Sequence, residues 1–408
     1  MPSATPGNAA GAPARPDAEA VRPTPAGAAL TVRPIAPRTH LAFAYARAET
    51  DQVSFLQCPA WGAVRSGWTA ESIGWFEGRE LVGVATVLYR RAPWLERSFA
   101  YIPEGPVIDW YGEHGPRRPL GSWLKPLAEH AKARGAFALR IGPTVIARTW
   151  ENGTVTDGIA AEDVTRFASL PPDHRDARAH DLETRLSSLG WQRAERGGAA
   201  LGLGDVQPRY HFRLPLEGRH EGEVWAGFNQ QWRRDVSIAQ RSGVQVERVD
   251  AAHLPEFHRL YLATAARDGF TPRPLPYFER MFQSFDAEDP ERVGLYLARH
   301  DGEALAAATL VRVGSYAWFG YGASADDERE VRPSNALQWR MIQDCMARGI
   351  RVYDLRGVAD TLDPQGPLFG MLGFKVGTGG RVVEYVGEWD LPLNRAFYQI
   401  FRLRTAWR

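Results

Sequence analysis

Short runs of alternating apolar and polar residues recur along the chain, separated by segments whose apolar positions fall at helical spacing. Trp75 to Tyr89 predicts a hairpin that turns at Glu77-Gly78, and Phe99 to Trp110 predicts a strand interrupted by Pro103-Glu104-Gly105-Pro106. Ser122 to Arg134 has helical spacing, Gly135 stops it, and Ala136 to Pro143 returns to strand character. Further on, Leu295 to Val313 predicts a second hairpin, turning at Asp301-Gly302, followed by a strand over Tyr316 to Tyr321. A helix from about Ala336 to Arg348 follows, with Ser334-Asn335 as its cap and Gly349 as its stop, and then a strand from Ile350 to Leu355 ended by Arg356-Gly357. Between these blocks, Asp181 to Leu189, Phe228 to Gly243, Leu254 to Arg267 and Pro276 to Ser284 are helical. No segment sustains a heptad pattern, so no coiled-coil arm is expected. Met1 to about Leu30 is rich in Pro, Ala and Gly and predicts a disordered tail; it lacks the basic start and apolar core of a signal peptide.

The two blocks repeat one another. AKARGAFALRIG, Ala131 to Gly142, aligns with CMARGIRVYDLRG, Cys345 to Gly357, at an offset of about 215 residues. Each block is an antiparallel hairpin feeding a strand, a helix and a second strand, which makes an α+β sheet unit. The unit resembles the N-acetyltransferase (GNAT) topology. The expected fold is therefore two tandem GNAT-like domains facing a cleft, over residues 31–208 and 209–386, with a C-terminal helix in 387–408 completing the first. The acetyltransferase topology grips a pyrophosphate with a glycine-rich loop at a helix N-terminus. The matching loop here, ADDEREVRPSN, has no glycine and four acids, and Tyr111 to Pro119 offers no clean phosphate loop either. The donor should then be an activated acyl group other than acetyl-coenzyme A.

Composition narrows the chemistry. Net charge is +1, so any nucleic-acid or membrane contact must be a local patch. Two distant cysteines, Cys58 and Cys345, argue against a disulfide scaffold and for the cytosol, and no apolar run is long enough to span a membrane. The ten histidines form no metal-binding spacing, and neither a metal nor another cofactor is expected. Of the 49 Lys and Arg residues only Lys125, Lys132 and Lys375 are lysine. The first two lie on an ordinary helix. Lys375 lies in a glycine-rich stretch, Gly373 to Gly380, that would let the backbone approach a ligand, and a compact ammonium in an arginine-dominated chain points to function.

Six stretches carry a more specific resemblance: FLQCPAWGAVRSGW, GFNQQWRRDVSIAQRSGV, ATAARDGFTPRPLPYF, FGYGASADDEREVRPSNALQW, VYDLRGV and FKVGTGG. From about Thr31 onward the chain resembles the FemABX family of aminoacyl-tRNA-dependent peptidyltransferases, and is most similar to its actinobacterial FemX branch. The resemblance implies transfer of an amino acid, with glycine favoured, from aminoacyl-tRNA to the stem-peptide amine of a peptidoglycan precursor, either UDP-MurNAc-pentapeptide or lipid II. It implies that Arg65 stands where the family usually has a basic Lys, and that Arg273 and Tyr277 grip the precursor. Tyr321 corresponds to the tyrosine of the Y-G-A-S strand, and Lys375 to the lysine with a catalytic role. Phe319 departs from a second tyrosine common in the family.

Several residues keep two interpretations. Asp354 could orient the attacking amine or form a structural ion pair. Arg233, Arg234 and Arg241 suit either a tRNA phosphate contact or a solvated helix face. Asn394 to Arg408 is basic and amphipathic and could rest on the inner face of a membrane or pack on the first domain. Cys58 and Cys345 have no neighbouring His and read as packed thiols. Two other functions fit the same residues: a related transferase acting in antibiotic biosynthesis or resistance, and a degenerate protein that only binds the precursor.

Overall fold

In the computed structural model, the described residues are 29–92, 96–115, 118–161, 163–194, 207–327, 329–366 and 369–406. The predicted tail lies outside them except for its last two residues. The strands, in chain order, are β1 (Thr31–Pro34), β2 (Thr69–Glu77), β3 (Glu80–Arg91), β4 (Ser98–Ile102), β5 (Ala136–Ile141), β6 (Ile146–Trp150), β7 (His174–Arg175) and β8 (Gln192–Arg193). The second half contains β9 (Tyr210–Pro215), β10 (Gln245–Val249), β11 (Val293–His300), β12 (Glu303–Val313), β13 (Tyr316–Ser324), β14 (Val352–Val358), β15 (Arg381–Tyr385) and β16 (Trp389–Pro392). They form a seven-stranded sheet, β1-β2-β3-β4-β5-β16-β8, and a nine-stranded sheet, β10-β11-β12-β13-β14-β9-β15-β6-β7.

The repeat legible in the sequence is present in both sheets. Four antiparallel strands lead into one parallel pair, β4 with β5 and β13 with β14. The helix Leu120–Ala133 makes the first crossover and the helix Pro333–Ala347 the second. This second helix begins differently from expectation. Pro333 occupies its first turn, Arg332 before it is left-handed at φ 56°, and no side chain caps it, so Ser334 and Asn335 lie inside the helix. Proline at the first position needs no backbone donor, which makes the side-chain cap dispensable.

The halves are interlocked. β6 and β7, which the sequence places within residues 31–208, pair in the second sheet, where β6 lies against β15. β16, in the 387–408 segment expected to complete the first domain, pairs there with β5 and β8 as a strand ahead of the helix. Alternation reveals a strand but not its partner, so the placement of β6 and β7 was invisible to it. The C-terminal helix Arg395–Ala406 packs on the first sheet. Phe401 stacks at 5.1 Å on Phe99 and lies 5.5 Å from Phe137, and the Tyr398 hydroxyl donates to Asp390 at 2.8 Å. Ile400 and Leu403 stay on the surface.

One aromatic core spans the junction. Phe55 from the first half meets Trp61, Phe285 and Trp318 at 5.7, 6.2 and 5.4 Å. Burial of each such ring contributes about 2–3 kcal/mol, so this junction is held apart from any ionic contact. Among the described residues no helix is long and apolar enough to cross a membrane.

Lys375 lies in the last turn of the helix Phe369–Val376, and the glycines after it serve packing and not an open ligand surface. A Cβ on Gly377 would strike Trp232, one on Gly379 the Gly227 carbonyl, and one on Gly380 the Arg213 carbonyl. Gly379 also has φ 72°. Gly379→Ala combines overpacking with a strained backbone and should cost roughly 2–4 kcal/mol of stability, read as a lower urea midpoint at unchanged slope.

Candidate active site

The site grows from an irregularity in β14. Its pairing with β9 shifts register between Asp354 and Gly357, and Arg356 within the shift is left-handed at φ 64°. A bulge of this kind re-aims backbone groups. The Arg356 amide turns back to donate to Asp354 Oδ1 at 2.6 Å. The carbonyls of Arg356 and Gly357 face the Lys375 ammonium at 3.5 and 2.8 Å. Lys375 and Asp354, both singled out in the sequence, thus meet around one kink.

Asp354 is fully buried, and its carboxylate is met from β9. His211 Nδ1 lies 3.1 Å from both oxygens and must donate there, and Arg213 Nε donates at 3.3 Å. Burial alone would raise the pKa of this carboxyl. The His211 contact, with Arg213 and Arg356, overrides it and holds Asp354 far below the usual carboxylate range. Arg213 also donates to Gln52 and to the Tyr385 hydroxyl. Lys375 is 5% exposed. Burial lowers its pKa to about 7, with Asp354 pulling upward and Arg356 pushing further down. The Arg356 guanidinium crosses to the first half, donating to Glu104 at 2.8 Å and Gln207 at 2.9 Å, and Ser54 donates to the second Glu104 oxygen at 2.6 Å.

A second cluster gathers Arg65, Arg273, Tyr277 and Tyr321. Arg65 ends the short helix Ala60–Val64 and lies over Trp68 at 5.6 Å and Trp61 at 6.0 Å. Tyr277 stands in the first turn of the helix Leu275–Glu288, and its hydroxyl is 2.8 Å from that of Tyr321 on β13. The Arg273 guanidinium lies 5.4 Å from the Tyr277 ring. Burial lowers the Arg65 pKa, opposed by Tyr277 and reinforced by Arg273. Burial raises both tyrosines, so at neutral pH the cluster presents cations and neutral hydroxyls, a set suited to an anionic, hydroxyl-bearing ligand. Phe319 packs against the second-half core, where a hydroxyl has no evident use.

The two clusters are linked through residues the sequence did not flag. Tyr101 lies 6.2 Å from Trp68, and its hydroxyl donates to Glu388. Gln207 bonds both Tyr101 and Arg356. Burial raises the Glu388 pKa to about 7 despite Arg140 nearby. His211, Arg213, Glu104, Tyr101 and Glu388 belong to no local motif; the one available signal was an alternation of charge into a buried strand at His211 and Arg213.

The three arginines proposed for RNA do not act alike. They lie on the helix Gln230–Arg241, which packs on the Lys375 helix through a 2.7 Å bond from Trp232 to the Phe374 carbonyl. Arg233 turns back to the carbonyls of Ala226 and Phe228 and so has a structural role. Arg234 and Arg241 are exposed, with Arg241 touching the Ser237 carbonyl at 3.2 Å. Cys58 and Cys345 are buried, and burial pushes both thiols up to about 12, which makes them poor nucleophiles. Among the described residues no group of His, Cys, Asp or Glu is placed to hold a metal.

Comparison with known proteins points the same way. A family model described as the FemAB family matches residues 39–301 and 295–405. A lipid II:glycine glycyltransferase of Staphylococcus haemolyticus is 25% identical over 427 residues, covering 88% of this chain and 92% of that protein. The same-named protein of Staphylococcus aureus strain MRSA252 is 25% identical over 413 residues, covering 85% and 89%. Among solved structures, FemX matches at a TM-score of 0.72 with 23% identity, covering 90% of this chain and 99% of that one. A tandem GNAT protein from the clavulanic acid biosynthesis pathway matches at 0.50 with 14% identity, covering 89% and 98%. These likenesses establish the tandem GNAT-like fold.

Asp354→Asn keeps the shape and removes the charge that two buried cations require, and should cost roughly 3–5 kcal/mol at pH 7. The folded-state pKa of Asp354 is depressed, so its contribution is present above about pH 3.9 and fades as pH falls toward the folded value. The stability gap between wild type and variant, measured by urea unfolding, should therefore narrow below about pH 4.

Proposed function

Because the chain belongs to the FemAB family, we propose that it is an aminoacyl-tRNA-dependent peptidyltransferase that moves glycine from glycyl-tRNA to the stem-peptide amine of lipid II. The observation that carries this reading is the joining of a buried lysine site to an arginine–tyrosine cluster at the junction of the two halves. The names of the staphylococcal relatives supply the acceptor and the amino acid.

The reaction needs little beyond placement. The stem amine attacks the ester carbonyl that joins glycine to the tRNA ribose, and the carbonyl oxygen becomes an oxyanion. The C–N bond forms, the C–O bond to ribose breaks, and the proton lost by the amine ends on the ribose hydroxyl. The ester is already activated, so orientation and oxyanion stabilisation supply most of the acceleration. Lys375 is assigned to the oxyanion: two backbone carbonyls face its ammonium, and a third donor remains for the reacting oxygen. Asp354 is assigned to holding that ammonium and the Arg356 kink in place, not to taking the amine proton, because its oxygens are committed to His211, Arg213 and the Arg356 amide. Arg65 and Arg273 are assigned to the acceptor diphosphate, with Tyr277 and Tyr321 as hydroxyl partners. Arg234 and Arg241 are assigned to the tRNA backbone. The protein works in the cytoplasm at the inner membrane face, where Ile400 and Leu403 on the C-terminal helix give it a peripheral foothold.

The test is a transfer assay with tRNA charged with labelled glycine, serine or alanine, and with lipid II or UDP-MurNAc-pentapeptide as acceptor. Ribonuclease-sensitive glycine transfer to lipid II is the expected result; acetylation from acetyl-CoA with no transfer from any charged tRNA would overturn the reading. In the same assay Lys375→Ala should lower kcat by about 100-fold or more, with acceptor affinity within a few-fold of wild type. Arg273→Ala should weaken acceptor binding by roughly 10- to 100-fold, the loss of one charge-assisted contact. Since the Lys375 pKa is lowered to about 7, its ammonium is lost as pH rises through that value. The rise of kcat with pH from amine deprotonation should level off there, and Lys375→Arg should remove the levelling.

A further inference from the structure

We propose that Glu104 and Arg356 form a positioning pair through which the first half of the chain sets the place of the Lys375 ammonium. Among the described residues four that are not glycine have positive φ: Glu104 at 46°, Asp301 at 48°, Arg332 at 56° and Arg356 at 64°. Asp301 sits in a hairpin turn and Arg332 precedes a helix, places where this conformation serves the local chain path. The remaining two come from different halves and are partners at 2.8 Å. Each left-handed residue of this type costs about 1–2 kcal/mol, so the surroundings must hold both in place.

What the conformation achieves is visible at Arg356. Its backbone turns one way, giving its amide to Asp354 and aiming its own carbonyl and that of Gly357 at Lys375. Its side chain goes the other way, out of the second sheet and into a socket on the first half. Glu104 and Gln207 take its donors there, and its guanidinium carbon lies 5.5 Å from the Phe55 ring centroid. The socket is itself pinned: Ser54 donates to Glu104, and the neighbouring Gln57 side chain donates to the Pro103 carbonyl at 2.6 Å. A shift of the first half therefore pulls on the guanidinium, and through one residue of backbone it moves the carbonyls that aim the ammonium. Neither Glu104 nor Arg356 need touch substrate for this; they act through Lys375. The Arg65 cluster draws its Arg65 arm from the same half, so acceptor held there and the ammonium are set against one frame.

The chain offers a direct readout, because only Lys125, Lys132 and Lys375 are lysine. In protein labelled with 13C at lysine Cε, three signals are expected, and Lys375→Arg identifies one of them. The experiment compares wild type, Glu104→Gln and Arg356→Gly. Glu104→Gln is isosteric, and Arg356→Gly removes the guanidinium while relieving the left-handed strain. With folding verified by the unfolding midpoint, both variants should move the Lys375 signal and leave those of Lys125 and Lys132 unchanged. Both should lower kcat for glycyl transfer by about 10-fold or more with acceptor KM within two- to three-fold, and the double variant should lose no more than the worse single one. A Lys375 signal unmoved in folded Glu104→Gln, or losses that multiply in the double variant, would overturn the proposal. The kinetic arm rests on the transfer reaction proposed above and the NMR arm does not. Wild type that transfers nothing removes that reaction, while the lysine signals still decide the coupling.

Discussion

The fully buried Asp354 carboxylate is the constraint around which the second half is arranged. A carboxylate removed from water costs several kcal/mol unless donors replace the solvent. Here the donors come from two places: His211 and Arg213 on β9, and the Arg356 amide on its own strand. The first requires β9 to lie directly beside β14, although the chain from 216 to 351 separates the end of one from the start of the other. The second requires β14 to kink. With β9 in that position, β15 can pair only on its far side, which brings the turn after Lys375 under the β9 backbone at Arg213. The placement of Lys375 thus follows from satisfying one buried charge.

Interlocking of the halves has a mechanical consequence. With β6 and β7 in the second sheet and β16 in the first, neither sheet is complete without strands lying beyond the other half's main block. The aromatic junction around Phe55, Trp61, Phe285 and Trp318 adds a second tie that excludes water. A junction held by exchanged strands and packed rings has few low-energy ways to hinge, because packed cores deform poorly. The two clusters that face this junction are therefore held in register by the fold, which suits a reaction whose acceleration comes from placing two large substrates.

Much of this was legible in the sequence, and the limits have physical causes. The duplicated strand–helix–strand block was visible because periodicity and a glycine stop report local structure. Lys375 stood out by scarcity, and Arg273, Tyr277, Tyr321 and Arg65, named through family resemblance, do converge in space. What failed was anything dependent on non-local pairing. The exchange of β6 and β7 leaves no trace in alternation, since a strand looks the same in either sheet. The glycines after Lys375 looked like room for a ligand and instead make room for Trp232 and neighbouring backbone. Arg233 looked like its neighbours Arg234 and Arg241 yet turns one guanidinium nitrogen back to two carbonyls. His211, Arg213 and Glu104 were passed over because a buried polar residue declares itself only once its partner is known.

The use of arginine and lysine follows from the same physics. At the Arg65–Arg273 cluster the cations stack on aromatic rings and retain planar donor forks, a geometry an ammonium cannot reproduce. At position 375 the requirement is the reverse. The group is closely buried in the last turn of a helix, two carbonyls of β14 face it, and a guanidinium would carry more bulk and a charge it cannot shed. Burial brings the lysine close to neutrality, while Asp354 keeps the charged form accessible and Arg356 restrains it. An ammonium balanced in this way gains most when negative charge develops beside it, as it does on the carbonyl oxygen of an ester under attack by an amine. In the resting site its charge is only partly compensated, and in the reaction proposed above the tetrahedral oxyanion would supply the missing counter-charge.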